Sequence, residues 1–486
     1  MTRSEETLDP RDWEGLRQLT HRIIDDAIDY TRDIRDRPLW QEMPQDVRDS
    51  FAAPLPQDPT ELQDVYGMLS RNMMPYPMGN IHPRFWMWYM GSSNFTGAIA
   101  DFLAAVQGSN LGVGNHSAGL IDQQVVGWCK EMLGFPETAS GTLVSGGSMA
   151  NIIGLTVARN QMAGIDVREN GVGGVEKPLR FYGSDQLHSC HQKAMELLGL
   201  GRIALCKVPS RPDCTMDVAA LQAAITIDRA AGRKPVCVIA TAGTVNTGAI
   251  DDLQAIEAIC RAEGMWFHVD GCIGALLAIA PDNRARVAGI EKADSVALDP
   301  HKWLHAPFEV GCALVRDHGA HRRTFALTPE YLEMTERGIA SAHWLHEYGV
   351  QTSRGFRALK VWMALQEHGA QKFGRLIDQN IRQAQYLTER IKQETALELM
   401  FPTNINIVCF RYSAFVDSER EAKRINTEIM LQMQETGVAA VSDTTVHGRH
   451  CLRVAINNHR TVQADLDLLV SEVIRLGSVI QQSPAM

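Results

Sequence analysis

The sequence predicts an α/β protein with a large, mainly parallel sheet and a small α+β C-terminal domain. Two observations predict the sheet. Short apolar runs recur at 142–144, 180–182, 236–241, 265–269, 295–298 and 312–315, and helical stretches such as 150–159 and 251–261 separate several of them. Strand–helix alternation of this length indicates parallel strands joined by crossovers. A third observation predicts the second domain: strand-like runs at 404–411 and 451–456 lie among helical stretches in the last part of the chain.

Residues 10–36 open the chain as an amphipathic helix. Asp9 is placed to cap it and Pro10 suits its first turn. Leu16, Leu19, Ile23, Ala27, Tyr30 and Ile34 recur at steps of three and four and make one apolar stripe, which must pack on the chain's own body or on a partner. Pro38 closes the helix. The alternating region follows. In a parallel sheet the ligand lies beyond the carboxyl ends of the strands. The residues just past the runs are Ser145–Ser148, Asp185 and His188, Gly243 and Thr244, Asp270, and His301 and Lys302, all polar or glycine. Helices are expected at 355–369 and 374–394, then 418–436 and 464–477, with a hairpin-like stretch ending at 456. The expected divisions are 1–85, 86–370 and 371–486.

Composition narrows the function. A chain of 486 residues with 45% hydrophobic and 21% charged residues can bury a large core. Net charge is −10, from 47 basic and 57 acidic side chains, which argues against a nucleic-acid partner. The ten cysteines are scattered without a CxxC pair, and several sit in apolar stretches, as expected in a reducing compartment. The first residues, MTRSEETLDPRDWEG, are too charged for a signal peptide. The most apolar run, GCIGALLAIAP, is far short of a membrane span. A cytoplasmic protein without membrane contact is expected.

Four stretches carry chemistry. TLVSGGSMANIIGL (142–155) reads as strand, glycine turn and helix. Such a turn exposes backbone N–H groups where the helix dipole favours an anion. It lacks the GK[ST] of a P-loop and the G-x-G-x-x-G of a dinucleotide site, so a single phosphate suits it; an ordinary tight turn reads the same way. WFHVDGCIGA (266–275) ends a buried strand on Asp270, which needs a partner there, or serves as a cap or structural ion pair. FYGSDQLHSCHQKA (181–194) puts His188 past another strand. Its HSCH resembles metal-ligand spacing superficially, and with no second cluster to complete a shell no metal is expected. SVALDPHKWLHAP (295–307) places Lys302 at a strand exit with no acid immediately beside it. A partly desolvated lysine there would lose its proton readily and act as a nucleophile. An anion cradle, a buried acid, a flat imidazole and a placed lysine on one sheet edge are the set that pyridoxal 5′-phosphate requires.

At this point the sequence resembles a known family, the group II pyridoxal-phosphate decarboxylases, which includes aromatic-L-amino-acid decarboxylases. HPRFWMWY, SGGSMAN, SDQLHS, AGTVNTGAIDD, HVDGC and LDPHKW occur in family order and spacing from about His82 to Lys360. The resemblance implies the aspartate-aminotransferase-like fold type I, with a mainly parallel seven-stranded sheet, and a homodimer with active sites at the subunit interface. It implies α-decarboxylation of an L-amino acid, aromatic in first place, through a Lys302 Schiff base and a quinonoid. Asp270 pairs with the pyridinium, and His188 stacks on the ring and helps in acid–base work. Gly147, Ser148 and His301 hold the phosphate side, with Asp299 where some members have asparagine; Thr244 and Cys272 lie near the ring. TPEYL (328–332) matches the mobile loop whose tyrosine, Tyr331, protonates Cα. Arg84, Phe85, Trp86, Trp88 and Arg354 are candidates for substrate contact or its support.

Three positions depart from the family. Val245 stands where threonine is usual, so one hydroxyl near the ring is lost. Cys272 replaces alanine. Arg84 replaces an aromatic residue and either binds a side-chain carboxylate, which would suit an acidic or small substrate, or points away. The rival readings are an aldehyde synthase on the same fold, against which Tyr331 argues because those enzymes commonly have phenylalanine there; an aminotransferase; and a catalytically silent homologue with a binding role.

Overall fold

The computed structural model describes residues 5–327, 329, 332–341, 344–414 and 418–482. The large sheet holds β1 (Ser140–Val144), β2 (Leu179–Ser184), β3 (Leu205–Val208), β4 (Lys234–Thr241), β5 (Trp266–Asp270), β6 (Ser295–Leu298) and β7 (Gly311–Val315), in the order β1-β7-β6-β5-β4-β2-β3. β5, β6 and β7 are buried along their whole length, because helices cover both faces, and so they read as continuous apolar runs. Six of the seven strands coincide with the predicted runs. The seventh, β3, is a four-residue edge strand, LCKV, with Lys207 exposed; an edge needs no continuous apolar run and leaves little signal.

Direction matters more than count. β2, β3, β4, β5 and β6 are parallel, while β7 runs antiparallel to both β6 and β1. Two reversals restore the sense, so β1 points the same way as β6. The carboxyl ends of β1, β2, β4, β5 and β6 therefore share one edge.

The first helix is Trp13–Arg32, shorter than expected. Asp12 caps it rather than Asp9, because the Asp12 carboxylate accepts from the N–H groups of Glu14 and Gly15. None of its residues is buried. The two helices expected between 355 and 394 form one element, Ala358–Gln393, broken by Gly369 at φ 71°. It leads into the small sheet, whose strands β8 (Leu397–Leu399), β9 (Ile407–Tyr412), β10 (Ser442–Val446) and β11 (Arg449–Ala455) are antiparallel in the order β10-β11-β9-β8. Helices Glu419–Glu435 and Gln463–Gln482 pack on it through Ile425, Ile429, Leu466, Leu469 and Val473. The sequence reading found two of these strands and a hairpin; β8 is three residues long, and β10 (SDTTV) is mostly polar.

One close approach fixes the edge that matters. A Cβ on Gly311 would lie 2.5 Å from Cα and C of Gly146, so glycine lets β7 begin directly beneath the turn that follows β1. Gly311→Ala is expected to displace that turn and destabilise the protein by about 1–3 kcal/mol, the usual cost of overpacking. Thermal unfolding measures it, and an unchanged midpoint contradicts the tight contact.

Candidate active site

A cavity of about 630 Å³ opens at the shared edge. β1 delivers Ser145–Ser148, β5 delivers Asp270, and β6 delivers Asp299, His301 and Lys302, all on its wall. His188, past β2, also lines it. Past β4 the wall is Gly243, Val245 and Asn246. The small sheet contributes Ser442, Asp443 and Arg453.

The helix Gly147–Met162 starts on the wall. Its N-cap is Gly146, which has no side chain to cap it, so the first-turn N–H groups are left for a ligand. A Cβ on Gly147 would sit 2.4 Å from Cys272 Sγ and 2.7 Å from Asp299 Oδ2. Glycine there lets the helix start come down onto both.

Asp270 ends β5 and is buried. Its Oδ2 lies 2.8 Å from His191 Nε2, and its Oδ1 accepts the Cys272 N–H at 3.2 Å. Burial alone would raise its pKa, but His191 outweighs burial and holds the carboxyl well below the usual range. Below it, His268 receives the Ser295 hydroxyl at Nδ1 (2.7 Å) and donates from Nε2 to Asn151 Oδ1 (2.8 Å). Burial lowers its pKa to about 3, so the ring is neutral. The Asn151 amide donates to the sulfurs of Cys190 and Cys272, each at 3.7 Å. Burial would raise the Cys190 thiol, yet hydrogen bonds with His188 and His191 bring it down to about 7.

Lys302 is not free of acids, as its neighbours in sequence suggested. Asp299, one helical turn earlier, places Oδ2 2.9 Å from Nζ. Burial favours the neutral amine, but Asp299 outweighs it and raises the lysine above its ordinary range. The expected ready loss of the proton is corrected accordingly: in this state the ammonium is held. His301 packs on Phe308 with ring centres 4.6 Å apart, and burial lowers its pKa.

Other predicted residues lie elsewhere. The Thr244 hydroxyl is turned into its own loop, against Thr247 Oγ1 (3.1 Å) and the Ala249 N–H (3.1 Å), and does not line the cavity. Arg84, Phe85 and Trp86 do not line it either. Phe85 bridges to Ala440, and the extended chain sends residues 84 and 86 to one face. Trp86 enters the small-domain core and donates to Thr461 Oγ1 (3.3 Å), while Arg84 lies in the field of Asp465 and Arg35. Arg354 is buried behind β1, donating to the carbonyls of Leu111 and Leu143, so it supports the cradle strand and does not line this cavity. Tyr331 lies outside the described residues. The sequence reading missed His191, Asn151, Thr241 and Arg453. The HSCH stretch holds the signal for His191, whose partner is a carboxylate on another strand.

The site suits pyridoxal phosphate on its own evidence. Asp299 Oδ1 and Thr241 Oγ1 are buried on the cavity wall with no hydrogen-bond partner among the described residues. Such atoms call for a ligand. An uncapped helix start suits a phosphate, an ionised buried acid suits a ring nitrogen, and an amine suits an aldehyde.

The profile of the pyridoxal-dependent decarboxylase conserved domain matches residues 44–413. An aromatic-L-amino-acid decarboxylase of Bacillus atrophaeus is 33% identical over 97% of this chain and 97% of its own length. A phenylacetaldehyde synthase of Arabidopsis thaliana is 28% identical over 93% of this chain and 94% of its own. The crystal structure of Oryza sativa TDC with PLP and tryptamine superposes with a TM-score of 0.89 at 25% identity, covering 98% of this chain and 100% of that one.

The Asp299–Lys302 pair makes a measurable demand on the cofactor-free protein. Asp299→Asn removes the chief opponent of burial and leaves only the weaker pulls of Cys272 and Asp270, so the pH at which Lys302 becomes reactive toward a small amine-reactive reagent should fall. Peptide mass spectrometry after labelling across a pH series reads it. An unchanged profile would show that Asp299 does not hold the proton.

Proposed function

The chain belongs to the pyridoxal-dependent decarboxylase family, and from that premise we propose that it converts an aromatic L-amino acid to the amine and carbon dioxide. That it is a pyridoxal-phosphate-dependent amino-acid decarboxylase follows from the family; the aromatic substrate and the residue roles are the proposal. One observation carries the aromatic reading. Trp88, Tyr89 and Phe308 line the same cavity as Lys302, with the Tyr89 ring centre 5.7 Å from Nζ and with Trp88 and Phe308 about half exposed. Exposed aromatic rings around a reacting group offer stacking surface to an aromatic side chain.

Lys302 would hold the cofactor's aldehyde carbon, Asp270 its ring nitrogen, and Gly147, Ser148 and His301 its phosphate. Pyridoxal phosphate, when bound, supplies the electron sink for the Cα–carboxylate bond. Asp270, kept ionised, stabilises a proton on the ring nitrogen through the reaction. His188, which lines the cavity past β2, would cover a face of the ring and move protons there. Lys302 must first leave Asp299 and lose a proton before its amine can react. Tyr331 returns a proton to Cα, on the family resemblance. Cys272 and Val245 line the same cavity, so Cys272 would stand in for the small residue near the ring and Val245 would offer methyl contact in place of a hydroxyl. The sequence-based support for an acidic substrate rests on Arg84, which does not line the cavity.

A homodimer is part of the proposal. Helix Leu62–Asn72, like Trp13–Arg32, contains no buried residue, yet Leu62, Val65, Met68 and Leu69 are apolar and exposed. Ile99, Phe102, Leu103 and Val106 on helix Phe95–Gln107 add to the uncovered apolar surface. A second copy would cover them. A cytoplasmic, reducing location is supported by ten cysteines that are all free thiols. Among the described residues no helix is long and apolar enough to cross a membrane.

The second reading, an aldehyde synthase, is favoured by the similarity to the Arabidopsis phenylacetaldehyde synthase. Mass spectrometry of products from pooled L-amino acids with pyridoxal phosphate separates the two. The expected result is one aromatic amine, lost in Lys302→Ala; an aldehyde with peroxide would replace the decarboxylase reading with the synthase. Sedimentation at micromolar concentration should show a dimer that Phe102→Asp weakens, and a monomeric wild type would contradict the assembly.

A further inference from the structure

His191 is a buried residue at the site whose chemistry the proposed reaction leaves unused. It sits on helix Cys190–Leu197 and is wholly enclosed. An apolar side chain would fill that volume without a polar atom to satisfy. Instead, Nε2 faces Asp270 Oδ2 at 2.8 Å.

The Asp270 carboxylate needs compensation, because a buried carboxylate without it takes up a proton. A protonated Asp270 could not hold a proton on a ring nitrogen. The neighbours supply few candidates. Lys302 is taken by Asp299 at 2.9 Å. His268, the next ring at 6.4 Å, has both nitrogens committed to Ser295 and Asn151. The Cys272 N–H gives one neutral bond at 3.2 Å. That leaves His191.

We propose that His191 is a positioning residue for the cofactor ring: its Nε2–H fixes the Asp270 carboxylate in one orientation and in its ionised form, so that this acid can meet the pyridine nitrogen. The proposal rests on the reading that Asp270 faces that nitrogen. The groups around the pair are consistent with it. On the helix side they are His188 and Cys190; from β5 and beyond they are His268 and Cys272; Asp299 and Lys302 face it across the cavity. Burial would lower the His191 pKa, but the hydrogen bonds with Asp270 and Cys190 outweigh it and raise it to about 10.

The test uses the full-length protein stripped of cofactor and titrated with pyridoxal phosphate. His191→Leu removes the donor and keeps the bulk; His191→Gln keeps an N–H. The Leu variant should bind the cofactor about tenfold or more weakly, the loss expected for one hydrogen bond to a charged group. Its bound-cofactor absorption should gain a titration step with pH that the wild type lacks, and kcat should fall with little change in KM. The Gln variant should restore most of the affinity and remove the step. Wild-type affinity and a flat spectrum in the Leu variant would overturn the proposal, as would Leu and Gln variants equally impaired, which would mean packing alone. If the Leu variant does not fold, Gln against Asn decides: the shorter Asn side chain should lose the affinity that Gln keeps, and equal affinities overturn the proposal. Asp270→Asn is the control for the underlying reading. If it leaves affinity and spectrum unchanged, the assignment of Asp270 falls; if it is impaired while His191→Leu is not, only the role of His191 falls.

Discussion

Asp270 sits buried at the end of β5, and the cost of keeping a charge there shapes what surrounds it. β2 is two places from β5 in the sheet, separated by β4. The helix that follows β2 must therefore reach across the end of β4 for His191 to meet the carboxylate. β4 gives way to Gly243 and the turn beyond it at that level. Helix Gly147–Met162 closes the other side, and its Asn151 amide ties His268 to the sulfurs of Cys190 and Cys272. Hydrogen bonds thus tie the helix after β2, helix Gly147–Met162 and the end of β5 together around the carboxylate.

The site holds two buried acids, and each has its own base. Asp299 pairs with Lys302 within one helical turn, and Asp270 pairs with His191 across the sheet edge. The pairing is local, so neither base is shared. Removing one member of such a pair strands a buried charge at a cost of about 3–5 kcal/mol. The arrangement therefore resists change at four positions at once. It also sets the resting chemistry: the lysine is kept as an ammonium by a partner it must leave, so the acid that holds it also controls when it reacts.

Most of the sheet and the position of its ligand edge were legible in the sequence. Strand ends are local features: an apolar run stops, and a glycine, acid or histidine follows. That pattern located Gly147, His188, Asp270 and Lys302 on one wall. Side-chain direction across the fold was not legible. Thr244 and Thr241 stand three apart on one segment; Thr244 bonds within its loop, and Thr241 faces the cavity, and no local pattern separates them. Arg84 and Trp86 lie in an aromatic motif that suggested a pocket, but pairing with residue 440 turns both toward the small domain. The Asp299–Lys302 pair is written in the sequence as an i,i+3 spacing, which brings the two side chains together only once residues 300–303 form a helical turn.

The small sheet completes the cavity through one buried cation. Arg453 on β11 is almost fully enclosed; its Nε donates to the carbonyls of Val245 (2.8 Å) and Asn246 (3.1 Å), and Nη1 donates to the Trp88 carbonyl and to Ser442 Oγ. Asn246 is also held from both sides, donating to Gln186 and accepting from Thr444. The turn after β4, the segment that carries Trp88 and the small sheet therefore meet at a single guanidinium. This bears on the loss of a hydroxyl at Val245. The turn's position here depends on its backbone carbonyl, which any residue supplies, and not on the side chain. A valine can stand there without loosening the wall, because Arg453 grips the main chain.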